Sequence, residues 1–131
     1  MTGVIVVTHG YSGAEMLRAA EQKVGHALEG VATIGVVGDE PVAAVQQRLD
    51  QAVRELHVDD VVFLVDLGGS TPFNLCCGNC RGQSAVVSGV NMPMIFKLST
   101  VDRSHGARHL ADELAASGKK SISVRSGEEA Q

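Results

Sequence analysis

Four short apolar runs divide the chain, and each of them predicts a buried strand. Most of their residues are β-branched or otherwise apolar, and polar residues do not alternate with them. Such runs are typical of strands that are covered on both faces of a parallel sheet. The predicted strands are Val4–Val7, Val31–Val37, Val61–Val65 and Ala85–Val87.

Between these runs, apolar residues recur three or four positions apart, which predicts amphipathic helices. A further helix is expected to begin at Thr71-Pro72, because a hydroxyl can cap a helix and proline suits its first turn. The predicted helices cover Ala14–Val24, Val42–Leu56 and Arg103–Ala116, and Ser121–Arg125 is predicted as a last short strand. Alternating strands and helices imply right-handed crossovers, so we expect an α/β fold with a doubly wound, mostly parallel sheet and helices on both faces.

Length and composition indicate one globular domain. Of the 131 residues, 44% are hydrophobic and 20% are charged, and we assign residues 1–126 to the domain and residues 127–131 to a polar tail. The net charge of −4 and the absence of tryptophan argue against nucleic-acid binding. No apolar run approaches the ~20 residues that span a bilayer, and no basic leader precedes the first strand. We therefore expect a cytoplasmic protein that does not insert into membranes.

Three cysteines, Cys76, Cys77 and Cys80, lie within five residues. Their odd number and close spacing do not suit a disulfide framework, so we expect reduced thiols. Cys77 and Cys80 also form a Cys-x-x-Cys pair, for which a metal or redox site is the alternative, but zinc would need two more ligands. His105 and His109, four residues apart, also lack a third ligand. The sequence thus predicts neither a metal nor a cofactor.

Reactive side chains fall where the predicted strands end. His9 follows the first strand, Asp66 follows the third, and the loop Gly68-Gly69-Ser70 leads from Asp66 into the helix that begins at Thr71. Ligands of doubly wound sheets bind beyond the carboxyl ends of the strands, and unpaired amides at a helix start attract anions. We therefore expect a histidine, a carboxylate and an anion-binding loop to converge on one edge of the sheet.

This combination suits a phosphohistidine. His9 would be the nucleophile, and Asp66 would hold one ring nitrogen so that the other is free to attack. Amides near Ser70 and Thr71, together with the Thr71 hydroxyl, would hold the phosphoryl oxygens. The residues by themselves indicate an anion-binding or histidine-using site and do not name its reaction.

Three stretches of the sequence, in this order, carry a resemblance to a known family. They are Val4–Gly10, then Phe63–Asp66 followed by Thr71–Asn74, and finally Gly89–Met94. With these motifs, and over nearly its whole length, the chain resembles the mannose-type IIA component of the bacterial phosphoenolpyruvate-dependent sugar phosphotransferase system.

The resemblance implies that His9 accepts a phosphoryl group on Nε2 from the phosphocarrier protein HPr and passes it to a IIB component. Asp66 matches the carboxylate that pairs with the ring. The resemblance also implies a homodimer in which Ser121–Arg125 is exchanged between subunits as an antiparallel strand. The residues expected to bind phosphate are Gly10, Gly69, Ser70, Thr71 and Asn74.

The glycine loop departs from the family pattern at one position, because Ser70 replaces the second of two expected glycines. A positive φ at this position would strain a serine by about 1 kcal/mol. The chain also ends soon after the predicted last strand, so we expect a IIA unit without a fused IIB domain.

Two other functions stay open at the level of sequence. One is a regulatory phosphohistidine module that feeds no transporter, and the other is a phosphotransfer subunit of the dihydroxyacetone kinase type. A third option, a ligand-binding domain with an inactive site, is disfavoured because His9, Asp66 and Thr71 are all present.

Overall fold

The computed structural model describes residues 1–128, so residues 129–131 of the predicted tail lie outside the described residues. Its strands are β1 (Gly3–His9), β2 (Val31–Val36), β3 (Val61–Val65) and β4 (Ala85–Ser88). They form one parallel sheet in the order β2-β1-β3-β4. The predicted α/β fold with a parallel sheet is confirmed.

Five helices connect or follow the strands in the described part of the chain, and none of them is long and apolar enough to cross a membrane. They are α1 (Ser12–Val24), α2 (Val42–Leu56), α3 (Thr71–Gly78), α4 (Met92–Lys97) and α5 (Ala107–Lys120).

The sheet separates two apolar cores, because successive side chains of a strand point to opposite faces. On one face, Val4 and Val6 pack with residues of α1, α4 and α5. On the other face, Ile5 and Val7 pack with residues of α2 and α3. Both faces of the central strands are therefore dry, which explains why their sequences are continuously apolar, and the predicted placement of helices on both faces is confirmed.

Helix α4 is absent from the sequence prediction. Its Asn91 cap accepts a hydrogen bond from the Met94 amide at 3.3 Å, and Pro93 lies in its first turn. These residues are a recognisable start signal, but a helix of six residues is too short to show a 3.6-residue period.

Helix α5 begins at Ala107 rather than at the predicted Arg103, and it runs on to Lys120. Gly106 has a φ of 89°, which no helical residue adopts, so the helix can only begin after it. Arg103 precedes this point and instead donates hydrogen bonds to the backbone carbonyls of Thr2, Glu29 and Gly30.

The predicted last strand, Ser121–Arg125, pairs with no strand in the described chain. Its two apolar side chains, Ile122 and Val124, are 75% and 89% exposed. A strand that is exchanged with a second copy would have no partner within one chain, so the exchange stays a prediction.

Gly35 of β2 allows this strand to pass close to the turn that follows β1. The Gly10 amide donates a hydrogen bond of 2.7 Å to the Val36 carbonyl, and a Cβ atom at residue 35 would collide with the Gly10 carbonyl oxygen. The collision would be with backbone, which cannot turn aside as a flexible side chain can. A glycine at position 35 is therefore required by the position of Gly10.

We predict that Gly35→Ala lowers the free energy of unfolding by about 1–3 kcal/mol, the usual cost of overpacking. Urea denaturation followed by circular dichroism measures this change. The matched control is Gly78→Ala, because a Cβ at this helical position meets no atom within 4 Å; it should be neutral or stabilise by up to about 1 kcal/mol. Equal midpoints for Gly35→Ala and the unmodified protein would contradict the close approach.

Candidate active site

The strand order brings His9 and Asp66 together at the carboxyl edge of the sheet. Strands β1 and β3 are neighbours, and Val7 lies opposite Val65. The residues that follow these two positions therefore leave the sheet side by side. The crossover from β1 goes to β2 on one side while β3 lies on the other, which makes this the switch point where doubly wound sheets bind ligands.

Asp66 accepts hydrogen bonds from both the backbone and the ring of His9. The His9 amide lies 2.9 Å from Oδ2, and ring atom Nδ1 lies 3.1 Å from both carboxylate oxygens. An ionised carboxylate can only accept, so Nδ1 must carry the proton. In the neutral ring this leaves the lone pair on Nε2, which has no partner among the described residues.

The environment of Asp66 keeps its carboxyl group ionised. Partial burial acts to raise its pKa, but the hydrogen bonds from the His9 amide and ring outweigh it and hold the pKa below its usual range. The side chains of His9 and Asp66 are 50% and 26% exposed. The Asp66 carboxylate is thus partly shielded from solvent, while the His9 ring is accessible to a reactant.

The turn after β1 fixes the backbone of His9. The buried Thr8 hydroxyl accepts a hydrogen bond of 2.9 Å from the Gly13 amide and donates one of 3.3 Å to the Gly10 carbonyl. Gly10 itself has a φ of 65°, a conformation that glycine adopts without strain. These contacts tie the end of β1 to the start of α1, so the imidazole is carried by a rigid turn.

The glycine-rich loop between β3 and α3 has one left-handed residue, Gly69, with a φ of 79°. Ser70 has a φ of −80°, so the serine in place of a glycine causes no strain. Ser70 caps α3: its Oγ accepts a hydrogen bond from the Phe73 amide and donates one of 2.6 Å to the Leu67 carbonyl. The sequence prediction of Thr71 as the cap is therefore wrong by one residue.

The loop presents amides that a ligand can use. Within residues 1–128, the backbone amides of Gly69, Ser70 and Thr71 have no protein partner. Thr71 and His9 line the same cleft, whose volume is about 230 Å³. Asn74 lies one turn further into α3 with an exposed side chain, and it does not line this cleft.

The cleft has a second wall that the sequence analysis did not assign to the site. Glu40 lines it, and the Arg48 guanidinium holds Glu40 at 2.7 Å while donating to the Gly35 carbonyl at 2.9 Å. The hydrogen bond from Arg48 lowers the pKa of Glu40, which is a carboxylate as a result. An acidic residue next to Pro41 has the ordinary pattern of a turn, so the sequence carries no signal of this position beside His9.

The remaining reactive residues lie apart from this cleft. His105 pairs with Asp102 at 2.9 Å, and its ring contacts that of His109. Cys76 is buried, Cys77 is exposed and Cys80 is half-buried. In the described part of the chain, no group of three or more His, Cys, Asp or Glu residues could hold a metal ion.

The chain is similar in sequence to proteins of one family. A family model described as PTS system fructose IIA component matches residues 3–115. The mannose-specific EIIAB component of Escherichia coli (strain K12) is 30% identical over 97 residues, which cover 72% of this chain and 30% of that protein. The fructose-specific EIIA component of Bacillus subtilis (strain 168) is 25% identical over 88 residues, or 65% of this chain and 60% of that protein. The chain thus spans less than a third of the E. coli protein and about three fifths of the B. subtilis protein.

Solved structures agree with the sequence relatives. The phosphotransferase system component EIIA of Streptococcus agalactiae superposes with a TM-score of 0.84 at 25% identity, covering 95% of this chain and 97% of that one. The matched fold includes the parallel sheet that places His9 beside Asp66. Because the family model covers most of the chain, the protein belongs to the mannose/fructose-type IIA components of the phosphotransferase system.

Proposed function

We propose that this protein is a phosphocarrier that accepts a phosphoryl group on His9 from phospho-HPr and passes it to a IIB component of a mannose-family sugar uptake system. The observation that carries the proposal is the contact between His9 and Asp66, in which Nδ1 lies 3.1 Å from both carboxylate oxygens while Nε2 has no partner within residues 1–128. A ring held in this way has its nucleophilic lone pair on the exposed side.

The proposed step is an in-line transfer. The Nε2 lone pair attacks the phosphorus of the donor, the phosphorus–nitrogen bond to Nε2 forms, and the bond to the donor breaks with its electron pair leaving on the donor. The proton on Nδ1 stays on the ring, which becomes positively charged, and Asp66 stabilises that charge. Transfer onward reverses these events with the IIB component as acceptor.

The loop residues would hold the phosphoryl oxygens during this step. Amides at a helix start favour an anion through both their hydrogen bonds and the helix dipole. Gly69, Ser70 and Thr71 offer such amides beside the cleft. We keep Gly10 and Asn74 in the proposed set on the ground of the family motifs, Gly10 for the turn that it forms beside the ring, because its amide already donates to the Val36 carbonyl. Such catalysis depends on positioning and charge stabilisation rather than on further covalent chemistry.

The surface around His9 suits a protein donor better than a small molecule. Four large apolar side chains are exposed on this edge of the sheet, and they are Tyr11, Val37, Val42 and Leu67. Exposed apolar groups around a polar site are a feature of protein-binding surfaces. HPr and a IIB component are the partners that the family implies, and exchange with them also fits the cytoplasmic location that we propose.

We further propose a homodimer in which residues 121–125 of each copy pair antiparallel with β4 of the other. Strand β4 pairs only with β3 among the described strands, so its outer edge is open. A groove of about 520 Å³ runs along this edge beside α5. Sheet edges are usually covered or blocked, and Ile122 and Val124 are spaced two apart, as a strand with one apolar face requires.

We predict that incubation with phosphoenolpyruvate, the first enzyme of the system and HPr places one acid-labile phosphate on the protein. His9→Ala should remove it, because among the described residues only His9 combines a ring held by a carboxylate with the unpaired amides of the glycine loop; His105 also pairs with a carboxylate, that of Asp102, but lies apart from the cleft. His26→Ala is the control, since His26 is also exposed but binds the Ala27 carbonyl outside the site. Acid-labile phosphate on His9→Ala would overturn the assignment. Phosphorylation that no IIB component can discharge would favour the regulatory module instead.

Asp66→Asn should slow phosphorylation by roughly ten- to hundredfold, because asparagine keeps one oxygen acceptor for the ring but removes the charge that stabilises the imidazolium, and an interaction with a charged group contributes about 1.5–3 kcal/mol. Rapid-quench measurement of the labelled protein gives this rate. Asp59→Asn removes the same charge from an exposed position just before β3, at the opposite edge of the sheet, and should leave the rate within about twofold, since it lies more than a Debye length from His9. Equal rates for Asp66→Asn and Asp59→Asn would refute the orienting role of Asp66.

Val124→Asp should dissociate the proposed dimer, because the exchanged strand would then bury a charge. Ser123→Asp is the matched control: it adds the same charge at the neighbouring position, which lies on the opposite, polar face of a strand in this register. Sedimentation at micromolar concentration distinguishes monomer from dimer. The strand exchange is wrong if Val124→Asp sediments as the same dimer as the unmodified protein.

A further inference from the structure

The Cys-x-x-Cys pair lies at the end of α3 that is remote from the glycine loop. Cys77 is in the last turn of the helix, and Cys80 follows the C-cap residue Asn79. The Cys80 amide donates a hydrogen bond of 3.2 Å to the Cys77 carbonyl. A turn closed in this way holds its first and fourth Cα atoms within about 7 Å, close to the range of roughly 4.4–6.8 Å that a disulfide spans.

The three thiols of this region differ in their exposure to solvent and therefore in their reactivity. Cys77 is exposed, whereas Cys76 is buried. Burial raises the pKa of Cys76 to about 12, with smaller contributions from the two other thiols, so it stays a thiol. Because the thiolate is the reactive form, Cys76 takes no part in exchange with reagents in solution.

The segment that carries the pair is anchored on both sides. The Asn79 side chain donates to the Leu75 carbonyl at 2.7 Å and exchanges hydrogen bonds with Gln46 of α2. At the other side, the Cys80 thiol donates to the Ser84 carbonyl at 2.9 Å, and Ser84 Oγ accepts from the Val61 amide. The Cys80 thiol gives up its hydrogen bond to the Ser84 carbonyl when a disulfide forms, whereas the hydrogen bonds of Asn79 and of the Ser84 hydroxyl remain and keep both cysteines on one short turn.

We propose that Cys77 and Cys80 form a reversible intrachain disulfide by exchange with a low-molecular-weight disulfide. The Cys77 thiolate attacks one sulfur of that disulfide, a mixed disulfide forms, and the first small thiol leaves with the electron pair. The Cys80 thiolate then attacks the Cys77 sulfur, and the second small thiol leaves. Two protein thiols are oxidised to one disulfide, one small disulfide is reduced to two thiols, and the two protons pass to those thiols.

Two further features favour the oxidised form of the pair. Partial burial raises the pKa of Cys80, with a smaller contribution from Cys77, so its thiolate is not stabilised in the reduced protein. Cys80 also follows the carboxyl end of α3, where the negative pole of the helix dipole acts in the same direction. A dithiol without a stabilised thiolate form gives up its electrons more readily than one that has it.

The test is equilibration of the full-length protein with mixtures of oxidised and reduced glutathione, followed by acid quenching, alkylation and peptide mapping by mass spectrometry. We expect a Cys77–Cys80 link that dithiothreitol reverses, with Cys76 alkylated only after unfolding. Cys80→Ser, which keeps a donor for the Ser84 carbonyl, should stop at the mixed disulfide on Cys77. Cys77→Ser should give no intrachain link.

The same glutathione equilibration in urea, where the chain is unfolded, shows whether the fold holds the two sulfur atoms close together. A preorganised pair has a higher effective concentration than the same pair on an unfolded chain, and we expect the exchange constant to be at least about tenfold larger for the folded protein. Equal constants, or free Cys77 and Cys80 in excess oxidised glutathione, would overturn the proposal. The readout does not involve His9, so it is separate from the test of phosphotransfer.

Discussion

The contact between Asp66 and His9 is the interaction on which the site depends. One carboxylate accepts hydrogen bonds from the amide and the ring of a residue 57 positions away in the chain. The backbone bond fixes where the residue is, and the ring bond fixes which way the imidazole faces and which nitrogen carries the proton. Because the acceptor is ionised, both bonds are stronger than those between neutral groups. The glycine-rich loop, the cleft lined by Thr71 and the exposed apolar side chains can position a reactant only if the His9 ring has this orientation.

The parallel sheet fixes the positions of His9 and Asp66 relative to each other. A parallel pair of strands delivers its two carboxyl ends to one edge, and the dry cores on both faces keep β1 and β3 from shifting in register. The buried hydroxyl of Thr8 then binds the turn that follows. Gly35 lets the neighbouring strand approach the Gly10 carbonyl. Rigid elements therefore position the His9 ring, while the glycine-rich loop beside it presents unpaired backbone amides.

Much of this arrangement can be predicted from the sequence, because continuous apolar runs leave little choice other than buried parallel strands. Once the strands are placed, the convergence of His9 and Asp66 follows from the direction of the chain. Helix α4 could not be predicted in this way, since it is shorter than two full turns. The cap of α3 is missed by one residue because Ser70 and Thr71 are consecutive hydroxyl residues ahead of Pro72, and only the extended ψ of 170° at Ser70 places that residue outside the helix.

Other features depend on contacts that no local pattern shows. The need for glycine at position 35 arises from Gly10, which is distant in sequence, and the place of Glu40 beside the cleft depends on Arg48 of the following helix. The proposed pairing of residues 121–125 would depend on a second copy of the chain. These are long-range constraints, whereas periodicity and capping signals report only on neighbours along the chain.

The most direct test of the central claim is to identify the nitrogen of His9 that carries the phosphoryl group. The measurement is the phosphorus–nitrogen coupling in the NMR spectrum of phosphorylated protein whose histidine rings carry the heavy nitrogen isotope. Because Asp66 holds Nδ1, we predict that the coupling appears on Nε2 of His9, with Nδ1 still protonated. A phosphorus bond to Nδ1, or to another histidine, would contradict the account.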